Sequence, residues 1–520
     1  MLNPTLHIKN AYVIDPKNGV LGEQMDVEIQ DGKIVEKSSA SDVEEIDAEG
    51  RIVVPAGIDL HAHLGTNVAV AAGLFGKQWA AKTIAQEYLQ AGFTFAATRS
   101  VSLLDAVRTH HFLRLIPGID AGMFLAVGSL WMNATDYQQE NVEGIAGTLA
   151  YFVSKLQSLG VEISQPFSSE YWHWAEENPS LVAPTKHFDI PPEKVVLGGL
   201  EGAQRAGLRS KVFVELPINH QATNLELLRE HIANLDAGAL PYHLVQGQFY
   251  AQGSETNTGT SITDLLNKHE WLSTDAGCAN LTGERIVATT DRWLINSSGP
   301  SLRGTYELDQ DIGAGIHAWD LRTPPAGLWW VSSLEILLSA GKRQQPAAFS
   351  FDSPNFGNPS EFGKFLTLLL SKPLRDERGP EVVGELYAQS TLAGLEEDLS
   401  IPDLIQVTRV VPATILGIST MKGHLGINAD ADVAILDLKP DDSITESSLD
   451  QAWVTIKGGQ VVWKNNTLGS LPPSNLFASE INPDIISEDL IEKRNKWHEK
   501  YSSVSMSSLQ IPMDEHIIKV

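Results

Sequence analysis

Strand-like texture at both ends of the chain, with strand and helix alternating between them, narrows the folds open to these 520 residues. Near the start, Leu6, Ile8 and Val13, then Val27, Ile29, Ile34 and Val35, sit between turn signals at Asp15-Pro16-Lys17-Asn18-Gly19 and Asp31-Gly32. Asp-Gly between β-rich runs is a hairpin signal, because both turn positions need φ > 0. The texture returns at Ala431–Leu438 and Ala452–Trp463, with Gly458-Gly459 as the turn. Two such ends suggest one small β-domain built from both, although two independent hairpins would leave the same trace. In the middle, strand-like stretches at 52–60, 94–98, 161–163, 211–216, 242–249 and 347–351 alternate with helical ones such as 77–90. That alternation fits βα units and a parallel sheet or barrel. A polar, proline-containing linker (464–474) leads to a tail with an amphipathic helix over 487–501, whose Leu490, Ile491 and Trp497 can pack on the barrel or on a partner.

The stretch Pro55-Ala-Gly-Ile-Asp-Leu-His-Ala-His63 carries the sharpest chemical signal. Residues two apart on a strand share a face, so Asp59, His61 and His63 project together. At the carboxyl end of a barrel strand they would reach the catalytic mouth. Two imidazoles there suit a divalent cation, zinc first. The bland alternative is a histidine pair satisfied by its neighbours at a strand end.

Charge and cysteine content exclude several classes. Sixty-five acidic against 38 basic residues leave a net charge of −27, which repels nucleic acid and anionic membranes over the surface as a whole. The single cysteine, Cys278, excludes an internal disulfide and any cysteine-built metal cluster. The first residues lack the basic start and apolar stretch of a signal peptide, and no apolar run approaches the ~20 residues that cross a bilayer. The expectation is a cytoplasmic protein.

A histidine pair after a first barrel strand, inside a β-domain made from both termini, resembles the amidohydrolase superfamily. The late segment Gly423-His-Leu-Gly-Ile-Asn-Ala-Asp-Ala-Asp432 looks like the stretch by which such chains re-enter their small domain. More specifically, the chain resembles the A subunit of formylmethanofuran dehydrogenase and of the related bacterial formyltransferase/hydrolase complex. Gly160-Val-Glu-Ile-Ser-Gln-Pro166, residues 186–195, Gln248-Phe249, Ser273-Thr-Asp-Ala-Gly277, residues 327–338 and Phe351-Asp-Ser-Pro-Asn355 carry that likeness, with the terminal helix and Pro512-Met-Asp-Glu. The resemblance implies a distorted (β/α)8 barrel over 53–420, a small β-sandwich domain from 1–52 and 421–470, and a linker with terminal helix over 471–520.

It also implies a binuclear site of two histidines, a carboxylated lysine, two further strand-end histidines and an aspartate. Here His61 and His63 are kept and Asp352 stands at the aspartate. Glu162 replaces the lysine, Glu215 and Gln246 fall at the later histidines, and Ser353 follows the aspartate. His61, His63, Glu162, Glu215 and Asp352 are therefore the candidate ligands, for one divalent metal per chain at most. Zinc comes first, and carboxylates in place of histidines shift preference toward manganese or magnesium. Glu162 and Glu215 can equally bond loops or pair with Arg99, Lys211 or another cation.

Asp352 would be the catalytic base in hydrolysis, or reverse formation, of the formyl amide of a methanofuran-like one-carbon carrier, giving formate. The implied partners are the other members of such a complex, including a formyltransferase, and the formyl carrier. The alternatives are a catalytically silent scaffold within such a complex, and a stand-alone dihydroorotase-like hydrolase of cyclic or N-acyl amides. His110-His111 lies on a helix over 107–115 and reads as surface or packing, since adjacent helical residues do not share a face. Trp329-Trp330 and Trp172-His173-Trp174 read as core or interface aromatics.

Overall fold

The computed structural model describes residues 5–40, 42–66, 69, 80–164, 166, 189–216, 224–235, 240–252, 258–277, 281, 284–289, 304–307, 313–324 and 326–520. Cys278 and Trp172-His173-Trp174 lie outside them.

Eight parallel strands follow one another in chain order: β1 (Gly57–Ala62), β2 (Phe93–Val101), β3 (Asp120–Ala126), β4 (Gly160–Ser164), β5 (Val212–Glu215), β6 (Tyr242–Leu244), β7 (Leu272–Ala276) and β8 (Ala347–Phe349). Each pairs in parallel with the next. Helices such as Ala81–Gln90, Val142–Lys155, Pro192–Ala206 and Ala326–Arg343 connect them. The ring closes just past β8, where His63 N donates to Ser353 O at 2.7 Å and Ser353 N to His61 O at 3.3 Å. Closure thus stitches the histidine pair to the residue after Asp352, which puts three candidate site residues at the carboxyl mouth.

The interior packs Ile58, Leu60, Phe95, Phe124, Phe213 and Ala348, all buried. Phe477 joins them from the tail, 5.3 Å from the Phe95 ring. It does so because β3 and β4 pair only from Phe124 and Gly160 onward. The space left at the opposite end of the barrel from the mouth is taken by strand Leu476–Ala478, which pairs with β3 through Ala121 and Gly122. Ser479 then donates to Ser158 O and Leu159 O. The tail beyond residue 470 is therefore part of the barrel floor as well as a linker and helix.

The two chain ends do meet in one sheet. Its nine strands come from residues 6–55 and 433–468. Ile52–Pro55 runs parallel to Leu6–Asp15 on one side and antiparallel to Val433–Leu436 on the other. The turns at Asp31-Gly32 and Gly458-Gly459 carry φ of 53° and 77°, and of 53° and 78°, as their residue types predict. The sheet has its own apolar core of Leu6, Ile8, Val27, Ile29, Val433 and Val454.

Helix Glu488–Tyr501 starts on Ser487, whose hydroxyl accepts from Leu490 N at 3.2 Å. Buried Arg494 ties it to the barrel by an ion pair with Asp136 and a 2.8 Å bond to Thr148 Oγ1. Trp329 and Trp330 are core residues, and His110 is buried on helix Ala106–Arg114.

Two expectations are corrected. The strand expected over 242–249 ends at Leu244. Gln246 then takes φ 50° and a short turn covers Gly247–Tyr250, because Gln246 N turns to Asp275 Oδ1. A three-stranded antiparallel sheet (284–289, 304–307, 313–320) also interrupts the βα alternation after β7.

Candidate metal centre

His61 lies on β1 and His63 directly follows its last residue, so with one residue between them both rings turn to the same side. Their Nε2 atoms lie 3.2 Å apart. Asp352 Oδ1 lies 3.0 Å from His63 Nε2 and 3.9 Å from His61 Nε2. All three residues are buried. Asp352 takes φ 48°, and its Oδ2 accepts from Gln246 Nε2 at 3.2 Å and Asn355 Nδ2 at 3.4 Å. Buried Oδ1, by contrast, accepts no hydrogen bond of good geometry among the described residues. Two imidazole nitrogens and an under-satisfied carboxylate oxygen converging on one point fit a divalent cation.

The electrostatics agree. Burial and the Arg99 charge lower the pKa of His61. Burial also acts to lower that of His63, but the Asp352 carboxylate overcomes it and the net shift is upward. Asp352 is itself held below the usual carboxylate range, since the two histidines outweigh its desolvation. Burial pushes Asp59 up to about 7 although Tyr88 OH and His61 N both donate to it.

Glu162 and Glu215 stand apart from that group. Glu162 Oε1 is 2.6 Å from Nη2 of fully buried Arg99, and its Oε2 accepts from Ser100 N at 2.7 Å. The guanidinium lies 4.4 Å above the Phe213 ring and 3.3 Å from His61 Nδ1. Glu215 Oε2 accepts from Ser164 Oγ at 2.5 Å. Gln246 reaches the site as a donor to Asp352.

Asp275, near the end of β7, escaped the reading from sequence. Its Oδ1 accepts from His243 Nε2 at 3.1 Å and Gln246 N at 2.7 Å. Its Oδ2 faces His61 Nδ1 at 3.4 Å and accepts from Ser350 Oγ. Burial would raise its pKa, yet the His243 and His61 contacts hold it well below the usual range. The signal available was its place inside Ser273-Thr-Asp-Ala-Gly277, one of the stretches that carry the family likeness.

A second acidic group, Asp120, Asp430 and Asp432, also converges. Lysines fill it: Lys422 Nζ is 2.8, 2.8 and 2.7 Å from the three carboxylates, and Lys457 Nζ is 2.7 Å from Asp120 and 3.0 Å from Asp432. It is an ion cluster joining the barrel to the β-domain, and it accounts for the two aspartates of Ala429-Asp-Ala-Asp432.

A nearly closed parallel barrel, a β-sheet built from both chain ends and a histidine–histidine–aspartate group at the mouth give the chain the fold of amidohydrolase-type barrels. The family model described as "Amidohydrolase family" matches residues 342–463. Along almost its whole length the chain is homologous to protein FwdA of Methanocaldococcus jannaschii, 26% identical over 541 aligned positions that cover 95% of this chain and 94% of FwdA. It is likewise homologous to the A subunit of the formyltransferase/hydrolase complex Fhc of Methylorubrum extorquens, 24% identical, covering 88% of this chain and 87% of the relative. The crystal structure of the M. extorquens FhcABCD complex with methylofuran contains a chain that superimposes with a TM-score of 0.87 at 19% identity, covering 99% of both. Among the described residues no helix is long and apolar enough to cross a membrane.

Proposed function

We propose that this protein is the A-type component of a formyltransferase/hydrolase-type complex and hydrolyses, or in reverse forms, the formyl amide of a methanofuran-like carrier, with formate as the one-carbon product. The observation that carries the reading is the convergence of His61, His63 and Asp352 in a chain homologous end to end with FwdA and with its Fhc counterpart.

His61 Nε2, His63 Nε2 and Asp352 would hold one divalent cation, zinc before manganese or magnesium given two imidazole donors. Such a cation, when bound, lowers the pKa of water and polarises an amide carbonyl. Asp352 is the group placed to take a proton from the attacking water and return it to the leaving nitrogen. Gln246 Nε2 and Asn355 Nδ2 hold its Oδ2, which leaves Oδ1 turned toward the histidines. Glu162 is engaged by Arg99 and Glu215 by Ser164, so neither is counted as a ligand of this cation. Partners would be the remaining members of the complex, a formyltransferase among them, and the protein would work in the cytoplasm.

The same engagement of Glu162 favours a second reading, a scaffold component that keeps the fold without the chemistry. The experiment is to purify the protein with its partner proteins, measure bound metal, and assay formate release from a formylated furfurylamine. Release that is lost in His61→Ala and in Asp352→Asn supports the enzyme. Full metal-free assembly with no release at any metal concentration supports the scaffold.

A further inference from the structure

Asp275 is fully buried and gathers groups from four places in the barrel: His61 on β1, His243 on β6, Gln246 in the turn after β6, and Ser350 next to β8. Gly277 lets β8 come this close, because a Cβ there would stand 1.7 Å from Ser350 O. An ionised carboxylate only accepts hydrogen bonds, so every nitrogen turned to it must carry a hydrogen. For His61 that nitrogen is Nδ1. A neutral imidazole has one N–H, so protonated Nδ1 leaves the Nε2 lone pair facing His63 Nε2 and Asp352 Oδ1.

A competitor stands beside the same atom. Arg99 Nη1 is 3.3 Å from His61 Nδ1, and a guanidinium can only donate. If Arg99 prevailed, Nδ1 would be the acceptor, Nε2 would carry the hydrogen and the ring would be useless as a ligand. Asp275 also acts on the far side of the site. By fixing Gln246 N it sets the turn whose side chain donates to Asp352 Oδ2.

We propose that Asp275 is the positioning residue of the metal centre: it holds His61 in the Nδ1–H tautomer against Arg99 and orients Asp352 through Gln246. This rests on the metal-site reading above, and adds which residue makes the ligands competent. A carboxylate behind a ligating histidine fixes ring and tautomer in this way, and its loss costs roughly 10–100-fold in metal affinity.

Two measurements on the full-length protein test it. In metal-free protein labelled with 15N-histidine, long-range proton–nitrogen correlation reads the tautomer of His61, assigned by its loss in His61→Asn. The Nδ1–H form is expected, and the Nε2–H form overturns the proposal without any variant having to fold. Zinc affinity is then measured by chelator competition. Asp275→Asn should weaken it roughly 10–100-fold, whereas Ser350→Ala, which removes a donor to the same oxygen and keeps the charge, should change it by no more than about threefold. A folded Asp275→Asn protein with wild-type affinity overturns the proposal. Wild-type protein that binds no zinc but shows Nδ1–H overturns the metal reading and with it the role in a metal centre, and leaves only the tautomer of His61 as assigned.

Discussion

Arg99 Nη2 lies 2.6 Å from Glu162 Oε1, both side chains are buried, and the guanidinium stacks over Phe213. The carboxylate that the family pattern would offer to a metal is thereby neutralised by a cation built into β2. Removing one partner of a buried pair strands the other charge, at about 3–5 kcal/mol, while removing both is far milder.

Arg99→Met should accordingly destabilise the protein by about 3–5 kcal/mol. Arg99→Met with Glu162→Gln should recover more than half of that loss, because glutamine still accepts from Ser100 N. Denaturant unfolding of the two singles and the double gives the coupling directly. Additive losses would show that the two side chains do not depend on one another.

The same pairing bears on metal stoichiometry. With Glu162 engaged, elemental analysis of protein grown with excess zinc and manganese should find one equivalent per chain. His61→Ala and His63→Ala should each remove it, since either change leaves a single imidazole beside Asp352. Two equivalents would mean that Glu162 or Glu215 leaves its present partner to bind a second ion.

Asp432 sits between Lys422 and Lys457 and also accepts from Gly458 N at 2.9 Å and Thr94 Oγ1 at 3.2 Å. Burial would lower the Lys422 pKa, but the surrounding aspartates hold it well above its ordinary value. Asp432→Asn removes the carboxylate that bonds both buried ammoniums and leaves them Asp120 and an Asp430 that also pairs with Lys33 at 2.6 Å, which should cost about 3–5 kcal/mol. Because the cluster joins barrel to β-domain, calorimetry should also show the unfolding transition broadening. An unchanged midpoint would mean that Asp120 and Asp430 suffice.

Burial, helped by the His111 and Arg114 charges, lowers the His110 pKa to about 4. The unfolded value is about 6.5, so between these the unfolded chain binds the proton and the folded chain does not. Stability from this group is whole above pH 6.5 and is lost as pH falls toward 4. His110→Gln should flatten the decline in melting temperature over that window. An identical slope in the variant would assign the acid sensitivity elsewhere.

Local chemistry was legible wherever a residue type answers to its immediate neighbours. Asp31-Gly32 and Gly458-Gly459 announce left-handed turns because few other pairs adopt them without strain. Ser487 announces a helix start because its hydroxyl can take the third amide beyond it. The period of a strand puts His61 and His63 on one face whatever the fold around them. The Val245–Phe249 part of the strand expected over 242–249 misled for the same reason. Its composition favours a strand, while a carboxylate 29 residues later bends it away.

The sequence by itself determined the βα alternation, the strand texture at both ends, the histidine pair and the ends of the terminal helix. All of these depend on contacts within a few residues or on a repeating pattern. Only the tertiary structure decided that Glu162 belongs to Arg99, that lysines fill the Asp120–Asp430–Asp432 group, and that Asp275 stands behind His61. Those choices join residues 63, 310 and 214 positions apart in the chain. They exist only because barrel closure removes water and forces each buried charge to find its nearest opposite.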